Sequence, residues 1–278
     1  MEKLMATDLI IKEFEERISN PLRGDQLKGK KLFTGVDLGT AYIVLAVVDE
    51  TGIPVAGAMR FAQVVKDGLV VDYIGAVDIV ETLKKEIEDK IGSELEYAGV
   101  AYPPGTNTND RKVFRNIVEA VGFEVIVEID EPTAANKVVS ITDGAIVDIG
   151  GGTTGIAIFQ NGEVVYTADE PTGGTHFSLV ISGAYKISFD EAEELKKCPE
   201  NHQRLLPIVK PVIQKVAGII KKHIQVHPVE NVFLVGGTCC LANIERILAE
   251  EVNIPVVKPQ NPFLVTPLGI AISAKETH

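Results

Sequence analysis

The chain has 278 residues, 45% apolar and 24% charged, which is enough for one large domain or two lobes with their own cores and is ordinary for a globular protein. A formal net charge of −12 repels phosphate backbones and anionic lipid, so nucleic-acid and membrane binding are disfavoured as bulk properties. The three cysteines, Cys198, Cys239 and Cys240, include no C-x-x-C pair, which excludes a zinc or thioredoxin-type motif and suits a reducing compartment.

At the N-terminal end, Ile11, Phe14 and Ile18 at helical spacing predict a helix over 5–19, stopped by Asn20-Pro21. Glu13, Glu15 and Glu16 interrupt the apolar stretch that a signal peptide needs, and no later run is long enough to span a bilayer. A cytoplasmic location is therefore expected. Residues 23–31 are polar with two glycines and read as a linker. The amphipathic helix can pack on its own body or dock on a partner.

The body begins near Leu32. Phe33 to Thr40, carrying Asp37-Leu38-Gly39-Thr40, leads into an apolar run from Tyr42 to Val48 and a turn at Glu50-Thr51-Gly52. Ala145 to Thr154, carrying Asp148-Ile149-Gly150-Gly151-Gly152-Thr153-Thr154, leads into Ile156 to Phe159 and a turn at Asn161-Gly162. Each copy reads strand, Asp-apolar-Gly turn, strand, tight turn, strand. Such an echo predicts two related lobes sharing one site. Between the copies, helices are expected over 77–91 and 110–121 and strands over 98–101 and 125–129. Beyond the second copy, helices are expected over 190–197, 208–224 and 243–251, with a buried strand over 232–235. Cys239 and Cys240 read as core or near-core. This alternation indicates an α/β layered fold.

Gly150 to Gly155 satisfies G-x-G-x-x-G, but a strand follows where the dinucleotide fingerprint requires a helix, and no Walker sequence occurs. A glycine turn between strands can still turn consecutive backbone N–H groups onto an anion, with threonine hydroxyls as added donors. An aspartate beside such a nest repels a bare phosphate, and a hydrated Mg²⁺ held by that aspartate removes the conflict. The alternative is a glycine-rich hairpin with a capping aspartate. The third glycine turn, Val235-Gly236-Gly237-Thr238, follows a short strand and lets a flat base or ribose approach closely.

These turns resemble motifs of the actin-like ATPase superfamily, which includes DnaK-type chaperones, MreB, FtsA and sugar kinases. Asp37 to Thr40 and Asp148 to Thr154 are similar to its two phosphate loops, and Val235 to Thr238 to its adenosine motif. Glu131-Pro132-Thr133-Ala134-Ala135 and Pro267 to Ala274 are similar to its connecting segments. The resemblance implies an α/β actin-like (ribonuclease H-like) fold of two duplicated lobes around a nucleotide cleft, with reduced peripheral subdomains. The implied organisation is an N-terminal helix and linker over 1–31, lobe I over 32–140 completed by 266–278, and lobe II over 141–265. From residue 32 on, Pro103-Pro104-Gly105-Thr106, Ala168 to Val180 and Val265 to Ala271 further resemble the EutJ family of ethanolamine-utilisation proteins. These are chaperone-like members of operons that build microcompartments.

That resemblance implies ATP and Mg²⁺ as cofactors. Asp37 and Asp148 would hold the hydrated metal, and Gly39, Thr40, Gly150, Gly151, Gly152 and Thr154 would contact phosphates. Glu131, with Thr153 and Asp148, would serve the attacking water, although Glu131 could instead cap the helix after Pro132. Glu193 and Lys196 would flank ribose and base, or form an exposed helical pair. Gly173, Gly174, Gly236, Gly237 and Thr238 would complete the nucleotide site, and His176 would line it or be structural. An ethanolamine-utilisation enzyme or shell protein is the implied partner, with microcompartment association. No peptide-clamping domain follows the second connecting motif in this sequence, the stretch 197–205 is short, and Lys66 is a poor match to the chaperones' catalytic lysine. Slow or absent hydrolysis is therefore expected. The second function class is a nucleotide-controlled filament or scaffold of the MreB/FtsA type.

Overall fold

In the computed structural model of the chain, residues 2–278 are described, with side chains from Lys3 on. The chain forms two compact units. One runs through Ser140 and takes in Leu264–His278; the other is Ile141–Phe263. The return to the first unit thus comes at Leu264 rather than 266.

The first unit opens with α1 (Glu2–Ser19). A five-stranded sheet follows, built from β1 (Leu32–Leu38), β2 (Tyr42–Asp49), β3 (Pro54–Phe61), β6 (Tyr97–Tyr102) and β7 (Glu124–Asp130), in the order β3-β2-β1-β6-β7. The first three strands form an antiparallel meander, and β6 and β7 join parallel. A short hairpin, β4 (Val65–Lys66) and β5 (Leu69–Val70), precedes α2 (Tyr73–Ile91). Then α3 (Thr108–Ala120) leads into β7, and α4 (Glu131–Val139) leaves it. Val80, Leu83, Ile87 and Ile91 of α2 are all buried, as their helical spacing demands.

Residues 1–31 do not stand apart as a segment of their own. The apolar stripe of α1 is buried on this unit: Ile11 and Phe14 are 1% and 0% exposed, and Phe14 lies against the backbone of Gly57 on β3. The expected linker is equally tied down. The Leu22 N–H donates to the Val55 carbonyl at 3.0 Å, and the Lys30 ammonium meets the buried Asp49 carboxylate at 2.6 Å.

The C-terminal helix, Val265–Thr277, is buried from Val265 through Ala274. It rests directly on backbone. A side chain on Gly269 would overlap the Ala134 carbonyl of α4, and one on Gly35 of β1 would overlap the Pro267 carbonyl.

The second unit repeats the design. Strands β8 (Gly144–Ile149), β9 (Thr154–Gln160), β10 (Glu163–Glu170), β11 (Val232–Val235) and β12 (Val256–Val257) take the order β10-β9-β8-β11-β12. Again an antiparallel meander of three is joined by two parallel strands. Its helices are α5 (Gly174–Tyr185), α6 (Phe189–Lys197), α7 (Pro199–Val226) and α8 (Ile244–Val252). Only Cys198 separates α6 from α7. Cys239 is buried, but Cys240 is exposed, against the expectation that both would be core or near-core, because the short 3₁₀ turn Gly237–Cys240 points successive residues in different directions.

The packing of α1 gives a direct test. Phe14→Ala should cost about 3–5 kcal/mol of unfolding free energy in urea denaturation. Leu9→Ala, at a position 70% exposed on the same helix, should stay within about 0.5 kcal/mol. Equal, small effects from both would show that α1 is not packed on the unit.

Candidate functional site

Each unit carries one Asp-x-Gly turn between its first two antiparallel strands. In the first unit, Asp37 lies on β1, and the Gly39 N–H donates to the Tyr42 carbonyl at 3.0 Å to close the turn into β2. Asp130 ends β7 and caps α4, its carboxylate accepting from the Thr133 N–H at 3.0 Å. Glu131 is therefore the first residue of α4 and not its cap. Because β1, β6 and β7 run parallel, Asp37 and Glu131 both fall at the carboxyl ends of their strands, along one edge of the sheet. Lys66 is exposed on the β4–β5 hairpin.

In the second unit the turn has the same closure, Gly150 N–H to the Thr153 carbonyl at 3.0 Å, and more of the expected residues collect around it. The Gly150 carbonyl accepts from the Gly174 N–H at 2.9 Å and from the Thr238 hydroxyl at 2.8 Å. The Gly151 carbonyl accepts from the Thr175 N–H at 2.8 Å. Those acceptors are thus consumed on the side of α5 and the 3₁₀ turn, which takes their negative ends off an approaching anion. The close fit depends on glycine. A Cβ at Gly173 would sit 2.8 Å from the carbonyl oxygens of both Gly150 and Gly151, and one at Gly236 (φ +91°) would overlap the Asp148 carboxylate. Strands β8 and β11 pair with Val235 opposite Asp148, which brings Gly236 to that carboxylate. Gly237 faces the ring of Phe263. Thr154 is fully buried, its hydroxyl donating to the Thr172 carbonyl at 2.5 Å.

Glu193 is buried and Lys196 half-buried, so the two are not an exposed helical pair. Lys196 donates to Glu193 at 2.6 Å, to the Ser178 hydroxyl at 2.7 Å and to the Gly174 carbonyl at 3.0 Å, and Ser178 donates in turn to Glu193. An ammonium has three donors, so these contacts fill its capacity and lock α6 to the start of α5. Burial pulls the Lys196 pKa down, opposed by the Glu193 carboxylate. His176 accepts from the Gly173 N–H at 3.4 Å, a contact within the first turn of α5.

One residue escaped the sequence reading. Asp169 on β10 pairs with Gly155 on β9, alongside the turn that follows Asp148. Its Oδ1 is buried without a hydrogen-bond partner. Burial, with the neighbouring Asp148 and Glu170 carboxylates, pushes its pKa from an ordinary 3.8 up to about 6, against the Thr153 side chain, which lowers it. Asp148, Thr153 and Asp169 thus gather hydrogen-bond acceptors at one spot, which fits the donor shell of a hydrated Mg²⁺. Among the described residues no group of three or more His, Cys, Asp or Glu could ligate a metal directly.

The Asp169 shift sets the sign of a pH effect. Between pH 3.8 and about 6 the folded chain keeps a proton that the unfolded chain has released, so stability falls as pH rises through that window. Asp169→Asn should therefore raise the urea midpoint over the parent protein at pH 7.5, and the gap should close by pH 4. A constant gap across that range would contradict the assignment.

Among known proteins, the family model described as type IV pilus assembly protein PilM matches residues 118–276. The ethanolamine utilization protein EutJ of Salmonella typhimurium (strain LT2) is 40% identical over 245 residues, 88% of this chain and 86% of that protein. The crystal structure of EutJ from Carboxydothermus hydrogenoformans superposes with a TM-score of 0.90 at 45% identity, covering 97% of this chain and 99% of that one. MreB 5 of Spiroplasma citri, bound to AMPPNP, shares the fold at 18% identity, with a TM-score of 0.70 over 88% of this chain and 96% of that one. With its two Asp-x-Gly turns set on sheets of one repeated order, this chain belongs to the EutJ family of ethanolamine utilization proteins, on the fold of the actin-like ATPases.

Proposed function

We propose that this chain binds ATP with Mg²⁺ and acts as a chaperone-like protein of ethanolamine utilisation, assisting the assembly of an enzyme or of a microcompartment shell. The observation that carries the nucleotide reading is the Gly150–Thr153 turn, whose Gly150 and Gly151 carbonyls are held by Gly174, Thr175 and Thr238. A loop with its acceptors tied back offers an anion N–H groups rather than repulsion. The AMPPNP carried by a neighbour of the same fold supports the choice of nucleotide.

In this reading Mg²⁺ supplies charge neutralisation across the phosphates. Asp148 holds the hydrated ion through water in the second unit, and Asp37 has the same place in its own turn. Gly151 and Gly152 take the phosphates, with Thr40 in the corresponding turn, while the N–H groups of Gly150 and Gly39 close their own turns instead. Gly236 and Gly237 let the adenosine approach closely. Glu131, at the head of α4, orients or deprotonates water. Lys196 and Glu193 act differently from the sequence expectation: their charges satisfy each other, so they shape the wall of the adenosine site rather than grip the ligand.

Slow or absent hydrolysis fits two features. Lys66, the sequence's poor match to a catalytic lysine, is exposed on a peripheral hairpin, and α6 passes into α7 at Cys198 with no room for an inserted subdomain. No helix among the described residues is long and apolar enough to cross a membrane. Cytoplasmic work beside the microcompartment is consistent with that.

Titration calorimetry with millimolar ATP and Mg²⁺ should give binding heat for the parent protein, and Asp148→Ala should weaken the affinity by at least about tenfold. Phosphate release should run far below the roughly 10 per second typical of enzymes. No heat from the parent protein would overturn the nucleotide reading. Turnover at the typical rate would overturn the hydrolysis reading alone.

A further inference from the structure

The net charge of −12 is not spread evenly over the molecule. On α3, Thr108, Arg111, Lys112, Arg115 and Asn116 recur at helical spacing and so share one face of the helix. With Glu128 of β7 they line a cavity of about 490 Å³. Cations thus gather in one hollow of an acidic protein. The neighbouring carboxylates are spent on Arg115 alone, which meets Glu128 at 2.9 Å and Glu119 at 2.7 Å.

Arg111 is the group prepared for a ligand. Its Nε donates to the Thr106 carbonyl at 2.7 Å, and its guanidinium lies 4.4 Å from the centre of the Tyr102 ring. These contacts fix the plane of the fork, and Arg111 makes no ion pair among the described residues. A guanidinium held in place with its terminal nitrogens open can meet a carboxylate through two parallel hydrogen bonds, and little further ordering is needed. Lys112 stands exposed beside it on the same face.

The hollow adjoins an exposed apolar run. Leu69, Val71, Tyr73 and Ile74 all stand open to solvent, Ile74 at 73%. The Tyr73 hydroxyl donates to the Asn116 carbonyl at 3.3 Å, which sets this run beside the α3 face. Single exposed apolar residues are ordinary, but a run of them next to a charged hollow marks an interaction surface. A small anion would engage the cations and leave the run wet. A nucleic acid would meet the repulsion of the whole chain. A peptide with carboxylates next to apolar side chains complements both parts.

We infer that the α3 face and the run over 69–74 form one docking surface for an acidic peptide segment of a partner protein, with Arg111 and Lys112 taking its carboxylates and Tyr73 and Ile74 its apolar side chains. This surface needs no nucleotide and stands apart from the reading of the Gly150 turn.

A random dodecapeptide library displayed on phage, selected on the nucleotide-free protein, gives the test. Enriched peptides should carry Asp or Glu next to an apolar residue. One of them, made synthetically and labelled, should bind the parent protein in fluorescence anisotropy. Lys112→Glu and Ile74→Ser should each weaken it by about tenfold. Both side chains are exposed, so neither change threatens the fold. Arg111→Lys keeps the charge, loses the fork and should weaken binding too. Inorganic pyrophosphate should displace the peptide poorly.

No enrichment, enrichment of peptides without acidic residues, or an enriched peptide that binds Lys112→Glu and Ile74→Ser as tightly as the parent would each overturn the inference. Loss in Lys112→Glu but not in Ile74→Ser, with full displacement by pyrophosphate, would mean a small-anion site and would overturn the peptide reading. All of these are measured without ATP, so failure here leaves the nucleotide reading untouched, and failure of that reading leaves this one.

Discussion

Backbone laid directly on backbone, with no side chain between, is the constraint on which both units depend. In the first unit the C-terminal helix lies on β1 and α4 at Gly35 and Gly269. In the second unit the Gly150 turn is wrapped by Gly173, Gly174 and Gly236. Such contacts tolerate almost no error, since an added methyl must displace a carbonyl rather than a flexible side chain. The same intimacy makes the second loop chemically useful. Carbonyls that would repel an anion are matched internally, and what remains is a rigid frame whose polarity is set by neighbouring residues.

The parts of the molecule legible in the sequence were those with short, local signatures. Asp37 and Asp148 announced themselves through the Asp-apolar-Gly turn and the strand that follows. The stripe Val80, Leu83, Ile87 and Ile91 located α2. The sequence marks helix α7 only from residue 208, because Pro207 reads as a breaker in the interior of a helix, although Pro211 lies further in. Both prolines are exposed, so the carbonyls they leave unpaired can turn to water, and the buried face of Leu205, Val209, Val212, Ile213 and Val216 carries the helix through. Helix α5 has no local signature, since its start at Gly173-Gly174 has low helix propensity. Its first turn is fixed by long-range bonds to Gly150 and Gly151, not by local propensity.

Asp169 was illegible for a related reason. Its importance lies in register, and the register of β10 is broken by an irregularity between Val164 and Tyr166. A one-residue slip moves a side chain to the other face of a sheet, so alternation along 163–170 could not say which way Asp169 points. The roles of Glu193 and Lys196 were obscured in another way. Their spacing showed that they could pair, but the Ser178 and Gly174 partners that fill the ammonium come from a different helix.

The interrupted course of the first unit bears on how the protein is made. Its helix Val265–Thr277 leaves the ribosome after the whole of Ile141–Phe263, which is one unbroken stretch with its whole sheet already in hand. Synthesis therefore imposes an order: the inserted unit can finish folding while the enclosing one still waits for the helix that covers Gly35 and Ala134. During that interval the surfaces that will hold the helix stay wet and adhesive. A chain made only as far as Phe263 would carry one finished unit and one open unit.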